Sequence, residues 1–346
     1  MYINLMISKN KNFYIKLWLL LITFLVALTI LIGGLTRLTD SGLSITRWDL
    51  FSGIIPPLNT EDWKKYFSLY KEIPEYKLLN FAMTLEEFKV IYWWEFAHRL
   101  LGRIIGLFYL IPLIYFTWNK MIKKENLISF YMIFILIFFQ GVMGWYMVKS
   151  GLVDKTDVSH YRLSLHLTLA FIIYILLLWN FLKIHNQKDL SSINNLPSFL
   201  PVIFLTSIIL QISLGALVSG LDAGQIYRSW PLMGDNYFPN DSTFHELFTL
   251  KSLETPSLVQ FMHRNVAYFI LFLLIYICFL IFRNNKFYHL KKITLLIFVI
   301  LLFQIFLGIL TILSGAQIII ASMHQVGSIF LVTVSLILVF KNSKIS

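Results

Sequence analysis

The sequence predicts an all-α integral membrane protein, with eight transmembrane helices arranged as two tandem four-helix bundles related by a pseudo-twofold axis along the membrane normal. Three observations carry this reading. The 346 residues are 58% hydrophobic and 14% charged, with a mean hydropathy of +0.72, which lies outside the range of soluble domains. The apolar residues gather in runs of about 20, the length that crosses a hydrocarbon core as helix, rather than in the ~10-residue alternating strands of a barrel. Landmarks of the first half also recur in the second, in corresponding spans and at offsets that fall slowly along the chain.

Taken in order, the spans fall at 16–36, 92–118, 127–148, 160–182, 199–220, 262–282, 293–313 and 317–340. The first run, Leu17 to Leu35, follows lysines but is long and lacks a small-residue cleavage site, so it reads as a span rather than a leader. Leu85, Phe88 and Trp94 give an amphipathic approach to the second span, as for a helix that meets the interface first. The connections at 37–91 and 221–261 are rich in aromatics, prolines and mixed charge and read as small folded caps. The net charge of +11 resides mostly in short segments between apolar runs: Lys9, Lys11 and Lys16; Lys120, Lys123 and Lys124; Arg283, Lys286, Lys291 and Lys292. That distribution is a topology signal rather than a nucleic-acid surface, and it places both termini in the cytoplasm and the long connections outside. Cys278 is the single cysteine, so an internal disulfide and a thiolate metal cluster are excluded, and any metal must be held by histidine or carboxylate.

The repeat is specific. Gly33-Gly34-Leu35, Asp40-Ser41-Gly42 and Trp48 return as Gly215-Ala216-Leu217, Asp222-Ala223-Gly224 and Trp230 at an offset of 182. Phe96-Ala97-His98-Arg99 returns as Phe261-Met262-His263-Arg264 at 165, Gln140 with Gly144 as Gln304 with Gly308 at 164, and Ser164-Leu165-His166 as Ser322-Met323-His324 at 158. Because each unit holds an even number of spans, the halves share one orientation. The division is 1–190, a half for substrate and catalysis, and 191–346, a half for a cofactor.

Four histidines, His98, His166, His263 and His324, begin the even-numbered spans at similar depth near the outer face. A histidine in a membrane helix is costly and faces a bundle interior or cavity; taken singly, each is equally well read as a hydrogen bond to a neighbouring helix. Two imidazoles at matched depth on neighbouring helices suit a six-coordinate heme iron, and duplication predicts two such sites. Four histidines around one non-heme metal is the main rival. His160, His185, His245 and His289 have no repeat partner and read as solvated. Arg99 and Arg264 follow ligand candidates, and Arg103 lies one turn on; a guanidinium there suits a heme propionate or simple interfacial anchoring. The glycines at 33, 34, 141, 144, 215 and 308 read first as close helix packing.

The halves differ at Glu95, three residues before His98, where the second half has Gln260. An acid kept beside one histidine and replaced by its isostere beside the other is a natural proton donor or acceptor, unless it serves only as the ion-pair partner of Arg99. Chemistry is thereby expected in the N-terminal half.

These residues resemble the heme A synthases of cytochrome oxidase assembly over nearly the whole chain: the run 33–44 (GGLTRLTDSGLS), Glu95 to Arg99 with Gly102, and Gln260 to Arg264. The loop with Trp48, Pro56-Pro57 and Trp63 resembles the alphaproteobacterial and mitochondrial branch. The resemblance implies that heme O, a farnesylated heme, is the substrate and that one ring methyl is oxidised to the formyl group of heme A by two hydroxylations and loss of water. It implies a resident heme b with axial ligands His263 and His324, a substrate heme flanked by His98 and His166, and a part in catalysis for Glu95. It further implies a place in a bacterial cytoplasmic membrane, coupling to the farnesyltransferase that makes heme O, and a membrane electron partner such as a quinone. The chain lacks the loop cysteine pairs of other branches, so a thiol relay is not available to it. A di-heme b-type electron carrier and a heme chaperone or exporter are the alternative readings.

Overall fold

The computed structural model describes residues 2–48, 52–152, 155–185 and 196–343. Among these, eight helices are long and apolar enough to cross a membrane: α1 (Tyr2–Leu38), α4 (Leu85–Trp118), α5 (Lys124–Gly151), α6 (His160–His185), α7 (Phe199–Gly220), α8 (Pro256–Arg283), α9 (Tyr288–Leu313) and α10 (Ile318–Asn342). Two short helices, α2 (Thr60–Tyr70) and α3 (Pro74–Leu78), lie in the first long connection. The described residues contain no strand. Each expected span overlaps one long helix. The largest difference is at α1, whose helix begins at Tyr2 rather than near 16; α4 likewise begins at Leu85 rather than near 92, so His98 lies further along its helix than its three counterparts.

The chain divides into two compact units, Met1–Leu177 and Leu178–Ser346. The expected boundary at 190 to 191 lies outside the described residues. In the first unit α1 packs along α4, and α5 also packs on α4. Pro112 interrupts α4, and a proline cannot donate to the carbonyl four residues back, here that of Phe108. The Trp18 indole of α1 donates to that oxygen at 2.9 Å. In hydrocarbon an unpaired carbonyl costs several kcal/mol, so this single bond both repairs α4 and fixes α1 against it. Aromatic contacts of Trp18 with Tyr109, Phe116 and Phe130 complete the seam.

The first cap is a folded layer with its own core. Asn59 caps α2 by accepting from the Asp62 N–H, and a Thr84–Glu87 capping box starts α4. Phe67, Tyr70, Ile73, Phe88, Tyr92 and Phe96 bury together with Leu43 and Ile45 of the loop after α1. At about 1.5–3 kcal/mol per fully buried large side chain, this cluster binds the cap to the extramembrane turns of α4. Glu75 of α3 is buried in the cap. Burial pushes its carboxyl up to about 8; the Tyr70 hydroxyl opposes the shift, and the negative charges of Glu95, Asp157 and Asp40 add to it.

In the second unit α7 packs on α8 and α10, and α9 on α8 and α10. Its cap is built from short 3-10 turns at Ala223–Gln225, Phe244–Phe248 and Leu250–Leu253, over which Tyr237, Phe238 and Phe244 pack with Phe261 of α8. The ends of α1 and α7 are stereochemical copies: Asp40 and Asp222, equivalent in the repeat, both adopt a left-handed backbone, with φ of 48° and 49°, a conformation aspartate tolerates better than most residues. Large apolar side chains stay exposed along the long helices, among them Phe108, Ile111, Phe138, Phe272, Phe279, Phe303 and Phe306. Water would penalise such a surface; lipid does not.

Candidate functional site: paired histidines and the loop clamps

Each of the four histidines predicted as a ligand rests on a glycine of the membrane helix that precedes its own in the chain, α5 for α6, α7 for α8 and α9 for α10, with α1 serving α4. A Cβ built on Gly33 would lie 2.7 Å from Cε1 of His98; the corresponding distances are 3.2 Å for Gly144 and His166, 3.1 Å for Gly215 and His263, and 3.0 Å for Gly308 and His324. A Cβ at Gly33 would force the His98 ring to shift, and at the other three the ring would have to give by a few tenths of an ångström. Four of the glycines first read as packing positions are therefore the seats of the histidine rings, whereas Gly141 faces open space.

Glutamines hold three of the rings. Gln140 Nε2 donates to the main-chain oxygen of His166 at 3.0 Å and lies 3.3 Å from its Nε2. Gln211 does the same for His263, at 3.0 and 3.1 Å. Gln304 Nε2 donates to the His324 oxygen at 2.8 Å, and His324 Nδ1 lies 3.1 Å from the Gln304 carbonyl. The repeat singled out Gln140 and Gln304 without assigning them work. Gln211 was missed, although it stands four residues before Gly215 just as Gln140 stands before Gly144.

The geometry fits a porphyrin iron. In the first unit the rings of His98 and His166 have centroids 6.4 Å apart with planes inclined at 71°. Two imidazoles bonded to one metal at roughly 2 Å each, with about 1 Å more from each nitrogen to its ring centre, give a separation of about 6 Å. Nδ1 of His98, His166 and His263 is buried without a hydrogen-bond partner, a state that buried polar atoms rarely keep unless a ligand satisfies the ring. No group of three or more histidine, cysteine, aspartate or glutamate side chains converges among the described residues.

Beside His98, Glu95 is buried and fully engaged. Its Oε2 accepts from the Ser44 hydroxyl and the Ile45 N–H, both at 2.7 Å, and its Oε1 accepts from Arg99 Nη2 at 2.6 Å. Arg99 also donates to the main-chain oxygens of Ile45 and Arg47 and stacks over Trp48. Glu95 and Arg99 thus clamp the loop that follows α1. In the second unit Gln260 donates to the Tyr227 oxygen at 3.1 Å, and Arg264 donates to Tyr227 and Leu232 oxygens. Tyr227 is the repeat equivalent of Ile45, so the same loop position is gripped in both halves, once by an acid and once by an amide. Ser44, which sequence reasoning missed, has Ile226 as its equivalent; a hydroxyl is present only where the acid is. Both arginines spend their terminal nitrogens on these loops, and Nε of each is buried with no hydrogen-bond partner. Of the remaining histidines, His160 packs beside Tyr161 and His185 stacks on Phe181.

An eight-helix, multi-pass membrane protein with a half-buried imidazole pair in each half is the class these observations define. The chain belongs to the cytochrome oxidase assembly protein family, whose model matches residues 16–336. It is 49% identical over 338 residues to the heme A synthase of Pelagibacter ubique, covering 97% of this chain and 98% of that one. It is 44% identical over 326 residues to the heme A synthase of Rickettsia felis and 46% identical over 324 residues to that of Rickettsia bellii, in each case over 92% of this chain and at least 94% of the relative.

Proposed function

We propose that this chain is a heme A synthase: an oxidoreductase that acts on a carbon–hydrogen bond and converts a ring methyl of heme O to the formyl group of heme A. The observation that carries the reading is the unequal pair of otherwise matching sites, two seated imidazoles in each half but an acid and its hydroxyl partner in only one. Matched sites alone would serve an electron carrier equally well.

His263 and His324 would hold a resident heme b, and His98 and His166 the heme undergoing reaction. A heme b so ligated supplies one-electron redox chemistry when bound. Around it this chain's own residues seat, orient and shield. Gly33, Gly144, Gly215 and Gly308 set the ring positions. Glu95 is the acid–base group of the N-terminal half: Oε2, held between the Ser44 hydroxyl and the Ile45 amide, is the atom that exchanges a proton, with Ser44 as its contact to the loop. Arg99 keeps the carboxylate aimed, and the free Nε of Arg99 and Arg264 would meet propionates. The lysine and arginine distribution supports cytoplasmic termini and sites toward the outer face of a bacterial inner membrane. The farnesyltransferase that makes heme O and a membrane electron partner such as a quinone are the expected companions.

The test is to purify the protein from cells that make heme O, extract its hemes and identify them by chromatography with mass detection, for wild type, Glu95→Ala and His263→Ala. Heme b together with heme O, its hydroxylated forms or heme A, with the oxidised forms lost in Glu95→Ala while heme b stays, supports the assignment. Two equivalents of heme b and no farnesylated heme in any variant would replace it with an electron carrier. Unmodified farnesylated heme alone would point to a chaperone.

A further inference from the structure

The four histidine seats are built alike except at one position. In three of them the residue four before the seating glycine is glutamine: Gln140 before Gly144, Gln211 before Gly215 and Gln304 before Gly308. Each glutamine amide donates to the main-chain oxygen of its histidine at 2.8–3.0 Å, and two of them also reach Nε2 of the ring. The fourth seat has Thr29 before Gly33. Threonine is too short to reach across to α4, and its hydroxyl is turned back to the Leu25 oxygen of its own helix at 2.8 Å. The His98 ring keeps a main-chain hydrogen bond with Thr29, as the rings of His263 and His324 do with Gln211 and Gln304, but no side-chain amide holds the main-chain oxygen of His98.

Hydrogen bonds that fix the backbone and orientation of a metal-binding histidine govern how tightly it holds the metal. Each glutamine bond also pins the backbone of the ligand helix at the ligand itself, in a setting where no water competes. In the second unit both histidines carry this amide clamp on their main chain; in the first unit only His166 does. A site that keeps its porphyrin needs two firm ligands, and a site that must admit one porphyrin and release another needs one that lets go. We propose that Gln140, Gln211 and Gln304 are positioning residues that lock three histidines, and that Thr29 leaves His98 as the releasable ligand through which the N-terminal site exchanges its porphyrin. This rests on the assignment of the histidine pairs to heme and adds to it a reason, built into α1, why one site turns over and the other does not.

The experiment uses the purified full-length protein loaded with ferric heme b, the porphyrin probe for both sites, and follows heme loss to excess apomyoglobin together with the low-spin bis-imidazole signal in electron paramagnetic resonance. Wild type should lose heme in two phases, with the fast phase absent in His98→Ala and the slow phase absent in His263→Ala. Gln211→Met keeps the length and apolar character of the side chain but cannot donate; it should speed the slow phase about tenfold or more and move part of the low-spin signal to high spin. Thr29→Gln should slow the fast phase several-fold, on the order of what one added hydrogen bond supplies, and sharpen the low-spin signal of that site. The gain-of-retention variant guards against reading a folding defect as a positioning effect. If both variants leave both phases within about twofold of wild type, the clamp has no role and the proposal is overturned while the heme assignment stands. If wild type takes up no heme with a low-spin signal, or keeps all of it in His263→Ala, the heme assignment itself fails and the proposal falls with it.

Discussion

The two halves of the molecule grip the same loop with opposite chemistry. In the N-terminal half Glu95 accepts three hydrogen bonds, from Ser44, Ile45 and Arg99; in the C-terminal half Gln260 donates one, to Tyr227, and its Oε1 stays buried without a partner. Arginine, glycine seat and histidine are common to both. The second half holds its loop without an acid, so the acid of the first half, with its matching hydroxyl, is a candidate for a role beyond architecture. Duplication here supplies an internal control: whatever both halves share is scaffold, and whatever differs is a candidate for the work that distinguishes them.

The strongest way to break the comparison is to remove a ligand. His263→Ala or His324→Ala should abolish the low-spin heme signal of the C-terminal site completely, whereas His98→Ala leaves that signal intact; optical and paramagnetic spectra of the purified variants check this. Next in size is the acid. Glu95→Gln copies the second half into the first and should lower the yield of oxidised heme by about 100-fold or more, while C-terminal heme content is unchanged. Because Arg99 is then left in a dry site without its anion, a loss of about 3–5 kcal/mol of local stability accompanies it. The double variant Glu95→Gln with Ser44→Ile reproduces the second half's clamp more completely and should likewise yield no oxidised heme while C-terminal heme content is unchanged.

The seats give a smaller, graded effect. Gly33→Ala meets the His98 ring at 2.7 Å and Gly144→Ala meets His166 at 3.2 Å, so the first should disturb heme binding and stability more than the second, each within the roughly 1–3 kcal/mol typical of overpacking. Thermal unfolding of the heme-loaded variants ranks them. The smallest effect is confined to the first cap. Glu75 titrates at about 8 in the folded protein against an ordinary 4.5, so the folded state binds the proton more tightly than the unfolded state. The stability it confers is complete below pH 4.5 and declines as pH rises through the interval up to 8. Glu75→Gln should flatten that decline, measured as the rate of proteolysis of the cap between pH 5 and 9, and change nothing in the second unit.

How much of this was legible beforehand varies with the range of the interaction. The eight spans were readable because lipid imposes a length and a composition on any helix that crosses it, and neither depends on neighbours. The start of α4 was placed seven residues late because Leu85 to Ile91 is amphipathic, and its helical state depends on the cap core of Phe67, Tyr70 and Phe88. The first cap was recognised as a folded layer from its aromatics, but nothing in the run of residues told that Glu75 would be buried within it.

At the site, the four histidines and the contrast between Glu95 and Gln260 were visible in the sequence, because duplication aligns equivalent positions and exposes the odd residue. The partners of those residues were not. Whether Glu95 is a lone acid or half of an ion pair, and whether a glycine serves helix packing or seats an imidazole, turns on which faces of two helices meet. Periodicity marks the faces of one helix only. By itself, then, the sequence determined the membrane class, the duplication, the ligand candidates and the asymmetry between halves. Tertiary structure alone decided that Ser44 and Ile45 bind Glu95, that Arg99 holds the loop, and that three histidines are clamped by glutamine and one is not, since each of these contacts joins residues from 20 to more than 50 positions apart and exists only once the helices have packed.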